Sequence, residues 1–186
     1  MTRSLLLFAH ISGMLALFVG LALEWICLNA VQRAATRDEG LQWVRLARVV
    51  PRLSGIAMAT IIASGLVLGA RVGVLGNAWM RVSYGALLLM AVVSGSVARS
   101  PIRALTRAAD RPADADASTL RTAAFNPILR LALRVRIAFG LAVVYLMIAK
   151  PDPPQSLLVM AIASVATIVT SFRGQTAQSR SVEGYQ

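Results

Sequence analysis

Histidine and cysteine each occur once in this chain, at His10 and Cys27, and acidic residues number only eight among 186. A single cysteine excludes a disulfide framework within the chain. Its place inside an apolar run makes a buried structural thiol the simplest reading. One histidine excludes any multi-histidine metal centre, including bis-histidine haem ligation within one chain, and leaves few general bases. The phosphate-binding G-x-x-x-x-G-K-S/T, the zinc-binding H-E-x-x-H and the nucleophile elbow G-x-S-x-G are all missing. No enzyme is therefore expected. There is no internal repeat and no stretch that reads as a soluble domain.

What the chain has in abundance is apolar residues, 57% of the total, with a mean hydropathy of +0.68. Soluble domains sit near 45–50% even on a broad count. Runs of roughly 20 apolar residues, enough for a helix to cross a hydrocarbon core of about 30 Å, account for the excess. Five such helices are expected, over 5–31, 53–70, 79–98, 128–149 and 155–172, forming one all-α transmembrane domain over 1–172. The first run is far longer than the 7–15 residues of a signal-peptide core, so it reads as a retained helix.

The connections follow from punctuation. Thr36-x-x-Glu39 has the form of a capping box and starts a short amphipathic helix over 38–50, in the membrane plane. Pro51 is expected to stop or kink it. The stretch 99–127 carries arginine, aspartate and alanine around AADRPADADAS and reads as a mobile polar loop. Asn126-Pro127 opens the fourth helix, Pro151, Pro153 and Pro154 turn the chain into the fifth, and 173–186 reads as a disordered tail.

The net charge of +11 arises from 19 basic residues. They lie between apolar runs without interleaved aromatics, so anionic lipid and not nucleic acid is the expected counter-charge. Fifteen of the 19 fall on one side of the alternating loops. Arg3, Arg71, Arg81 and Lys150 make up the other side. The positive-inside rule places the arginine-rich side in the cytoplasm, and an odd number of spans then puts the N-terminus outside and the C-terminus inside.

Ionisable groups inside hydrocarbon are costly and stand as functional candidates. His10 and Glu24, in the first helix, are the two polar intramembrane candidates. Their spacing brings them back to within about 40° of one face, a stripe shared with Gly13 and Gly20. By helical rise, Glu24 falls about 28 Å along the axis, close to the inner boundary and level with Arg130, Arg134 and Arg136. A structural ion pair between Glu24 and one of these, Arg134 above all, is expected, with the arginines otherwise snorkelling to the headgroups. His10 lies near the opposite end, so the two polar residues serve different ends of the membrane. Gly65 and Gly69 form a further small-residue stripe for close helix contact. Ser94, Gly95 and Ser96 add a small polar patch.

The first helix reads LLLFAHISGMLALFVGLALEW, the second ends in ASGLVLG, and the third opens on Trp79. Over 5–98 this resembles bacterial predicted integral membrane proteins of the DUF2269 type and, more distantly, the helical copper-resistance D-like membrane proteins. The resemblance implies a bacterial inner-membrane location. The second group implies copper handling, with His10 as the one position carried over.

Three functional classes follow. The first, towards which the polar stripe of the first helix leans, is transport or channel-like passage of an ion or small solute, with His10 and Glu24 lining a polar path. The second is a non-enzymatic accessory subunit, as a homo-oligomer or beside another membrane protein. The third is a haem- or copper-binding protein using His10. No cofactor is expected in the first two.

Overall fold

The computed structural model describes residues 2–97, 99–110 and 117–183, with side chains at all of these except 2, 97, 99–101, 117–119 and 171–183. The described chain is all helical: α1 (Thr2–Arg33), α2 (Arg37–Val72), α3 (Ala78–Val92), a π turn (Val93–Val97), α4 (Arg99–Ala109), α5 (Ala117–Ala124), α6 (Pro127–Ala149) and α7 (Pro153–Glu183). Five helical segments are long and apolar enough to cross a membrane. Their outward faces carry Phe8, Leu15, Leu88, Ile148, Leu157 and Ile162, each at least 59% exposed. Apolar surface this extensive suits lipid and not water.

The two longest helices form an antiparallel hairpin in which small residues bring the backbones together. A β-carbon on Gly13 would stand 3.3 Å from the Ala57 carbonyl oxygen, and one on Gly20 would stand 2.5 Å from Ser54 Oγ. The turn between them starts α2 as the Thr36-x-x-Glu39 pattern suggests: Glu39 N donates to Thr36 Oγ1 at 3.3 Å. The return bond comes from Ala35 N to Glu39 Oε2, one residue earlier than in a standard capping box. Gly73, with φ at +74°, ends α2 in the left-handed conformation that glycine adopts without strain.

Three expectations are corrected. Pro51 does not divide an in-plane helix from a spanning one, because α2 runs unbroken from Arg37 to Val72. Proline costs one backbone hydrogen bond, and neighbouring helices hold the element together around it. The stretch expected to be a polar loop contains α4 and α5. Arginines of α2 satisfy the last carbonyls of α4: Arg37 reaches Ala109 O, and Arg48 reaches both Thr106 O and Asp110. Arg121 of α5 in turn donates to Ala34 O and Ala35 O, at the α1–α2 turn. The centre of the expected loop, 111–116, lies outside the described residues. The expected disordered tail continues α7 as helix to Glu183. No proline follows Pro154, so nothing removes an amide donor there.

Helix α6 packs between α3 and α7 and also reaches α1. Asn126 caps it by accepting from Ile128 N at 2.9 Å, and Lys150, at φ 47°, ends it. The core lies along the α1–α2–α3–α6 seam, with Leu21, Met90, Leu133 and Leu146 each at most 1% exposed.

Candidate functional site

Helices α2 and α3 meet near the turn that joins them, where β-carbons on Gly69 and Gly65 would touch Met80 and Tyr84. Farther from that turn they part. The space between them is a cavity of about 520 Å³, within the range typical of small-molecule sites. Leu17 and Leu21 of α1 form its back wall. Met58 and Ile62 of α2 face Met90 and Ala91 of α3 across it. Exposed Gly55 and Ala59 also line it, so it opens on the side of the bundle, between helices.

Polar groups gather at the arginine-rich end. Ser54, Arg103, Arg136 and the Ser94–Gly95 step of the π turn all line the cavity there. A π turn carries an extra residue per turn and is frequent at functional sites. Ser94 Oγ donates to Met90 O at 2.8 Å, whereas Ser54 Oγ is buried without a partner.

Arg136 is the charged member built into the wall. Its residue is 5% exposed, and its Nη2 donates to Glu24 Oε1 at 2.5 Å, with Glu24 also 5% exposed. Its Nε donates to Ala132 O of its own helix at 3.3 Å. Two charges taken from water cost several kcal/mol each, and a short charge-assisted bond offsets much of this. Glu24 Oε2 is buried with no hydrogen-bond partner, which leaves the carboxylate half satisfied. Glu24 lines a second, much smaller recess of about 20 Å³, with Ala47, Arg48 and Thr106. Pro51 and Ile102 border both spaces, so the ion pair stands between them.

The other arginines of α6 turn elsewhere. Arg134 Nη1 donates to Thr170 O of α7 at 2.6 Å, and Arg130 bonds Gln32 and stacks over Phe125. Arg134 and Arg136 are separated by about 200° around the helix, so only one of them can face α1. Arg136 thus takes the place that the sequence reading gave first to Arg134. It is buried in the bundle and does not snorkel to a headgroup.

His10 lies about 21 Å from Glu24 by helical rise and belongs to a separate cluster. Its Nδ1 is 3.2 Å from Ile61 O and 3.1 Å from Ser64 Oγ. A carbonyl only accepts, so Nδ1 carries the proton. Gly65 allows this approach, since a β-carbon there would be 3.1 Å from both His10 Cε1 and Tyr84 Oη. Tyr84 Oη is buried without a partner. His10 also lines a space of only about 10 Å³ with Met14 and Met147. Among the described residues, no group of three histidine, cysteine, aspartate or glutamate side chains could hold a metal ion.

The sequence points to Glu24 and, among three arginines, Arg136; it offers the Ser94–Gly95 patch only as helix packing, and Ser54 and Arg103 were missed. The visible signal for the first was a Ser-Gly step soon after Pro51 in an otherwise apolar run. For Arg103 the signal was hidden by reading its helix as a loop. Comparison with family models, with curated proteins and with solved structures gave no match.

Proposed function

We propose that this protein is a multi-pass inner-membrane protein that binds a small amphiphilic anion in the α2–α3 cavity and passes it between bilayer and protein. The observation that carries this reading is a largely apolar cavity of about 520 Å³ with the buried guanidinium of Arg136 in its wall. The apolar lining suits a hydrocarbon body, while Arg136, exposed Arg103 and the free Ser54 hydroxyl offer donors to an anionic head. The lateral mouth gives access from lipid. With the arginine-rich end in the cytoplasm, as the loop charges favour, the head would enter from the inner leaflet, where anionic amphiphiles meet positive charge. His10 and Glu24 do not line one path, so the passage uses the cavity and not the length of α1.

The test compares three amphiphiles of equal chain length, octanesulfonate, octylammonium and octyl maltoside, by thermal unfolding of the purified full chain. At ten times its dissociation constant a ligand stabilises by about 1.4 kcal/mol. Stabilisation by the sulfonate alone, lost when Gly55→Leu fills the mouth, is expected. Equal effects of all three, or none from the sulfonate, would overturn the reading.

A further inference from the structure

We infer that Glu24 is a proton-binding site coupled to the anion cavity, so that each anion bound at Arg136 is accompanied by one proton on Glu24. The inference rests on the proposed anion reading and adds a co-ligand to it.

The argument starts from charge. Glu24 and Arg136 are each 5% exposed and form a neutral pair. An anion reaching Arg136 from the large cavity would put two negative charges beside one buried guanidinium, because Arg103, the other cation of the cavity, is exposed and its charge is screened by water. Buried unpaired charge is the most expensive state available, and a carboxyl group escapes it by taking a proton. The balance is simple. Glu24 carboxylate, Arg136 guanidinium, anion and proton give Glu24 carboxylic acid and an Arg136–anion pair. The site is neutral before and after, and no bond other than the O–H forms.

The geometry supplies what this exchange needs. Arg136 lines the large cavity and Glu24 the small recess, so the anion and the proton arrive on opposite sides of the pair. Glu24 Oε2 has no hydrogen-bond partner and is the oxygen open to a proton. The recess, at about 20 Å³, has room for one water molecule. It extends to Arg48, whose side chain is 39% exposed and pairs with Asp110. A carboxylic acid also needs an acceptor. Pro51 has no amide hydrogen to give the Ala47 carbonyl, and both residues line that recess with Glu24. The charged and titratable groups around Glu24 are Arg136 from α6, Arg48 from α2, Arg103 from α4 at the cavity, and Cys27 one turn along α1.

The experiment is calorimetric titration of the full chain in lipid nanodiscs with octanesulfonate, whose head stays ionised throughout the pH range used. At one pH, buffers of different ionisation enthalpy count the protons taken up. One proton per sulfonate is expected, with affinity rising about tenfold for each unit the pH is lowered. E24Q should bind with no proton exchange and a flat pH profile, and H10N should behave as wild type. Buffer-independent heats and a flat profile in the wild-type protein would overturn the coupling while leaving the anion reading standing, and this arm needs no variant to fold. Uptake that persists in E24Q, or is lost in H10N, would also overturn it. No sulfonate binding at any pH would overturn both readings.

Discussion

Arg136 Nη2 and Glu24 Oε1 lie 2.5 Å apart in a bundle where both residues are almost completely buried, 112 positions apart in the chain. Such a pair is asymmetric under mutation. Glu24→Ala leaves a guanidinium buried without its counter-charge and should cost about 3–5 kcal/mol. The double substitution Glu24→Leu with Arg136→Met removes both charges and should recover most of that loss. Equilibrium unfolding in mixed micelles measures both, and a double variant no more stable than Glu24→Ala would show that the pair's charges are not what the single change disrupts.

The glycines of the α1–α2 contact are not equivalent to the one at the cavity mouth. Gly13 faces the Ala57 carbonyl and Ile61, whereas a β-carbon on Gly55 would meet nothing within 4 Å. Gly13→Leu should therefore destabilise by about 1–3 kcal/mol through overpacking. Gly55→Ala should be neutral or stabilise by up to about 1 kcal/mol, since alanine is the better helix former. Thermal midpoints of the two variants in one detergent give the comparison.

Arg48 does two jobs at the end of α4, pairing with Asp110 and donating to the Thr106 carbonyl. The exposed ion pair alone should contribute at most about 1 kcal/mol, and less in salt. Asp110→Asn is thus expected to change little. Arg48→Ala, which also removes a cap from the helix end, should raise amide exchange across 105–109. Hydrogen-exchange mass spectrometry separates the two, and equal protection in both variants would remove the capping role.

The orientation is open to direct labelling. Cys27 is fully buried, so the wild-type protein should resist a thiol reagent. A cysteine introduced at Gly76 should react with a membrane-impermeant maleimide on intact cells, and one at Asp110 only after lysis. The reverse pattern would invert the topology.

Much of the fold was legible because it depends on local signals. The apolar runs mark five helices, and Thr36 and Asn126 mark two helix starts. Pro51 misled as a helix end because proline reports a lost bond, not the neighbours that tolerate the loss. The 99–127 stretch misled because its composition is polar, while α4 is held by Arg37 and Arg48 of α2 and α5 by its own Arg121 reaching back to the α1–α2 turn. Glu24 could be matched to the α6 arginines by depth alone. Choosing Arg136 required knowing which face of α6 meets α1. The cavity had no local signal at all, because it is a space left where α2 and α3 diverge.

The π turn at Val93–Val97 acts as a gear tooth in this assembly. One residue more than an α-turn accommodates advances the angular phase of everything beyond it by about 100°. Ser94 and Gly95 thereby meet the cavity, and α4 arrives with Leu105 and Ala108 inward and its carbonyl end within reach of Arg37 and Arg48. A one-residue deletion there would leave the composition of every α-helix unchanged and is expected to misalign two interfaces at once.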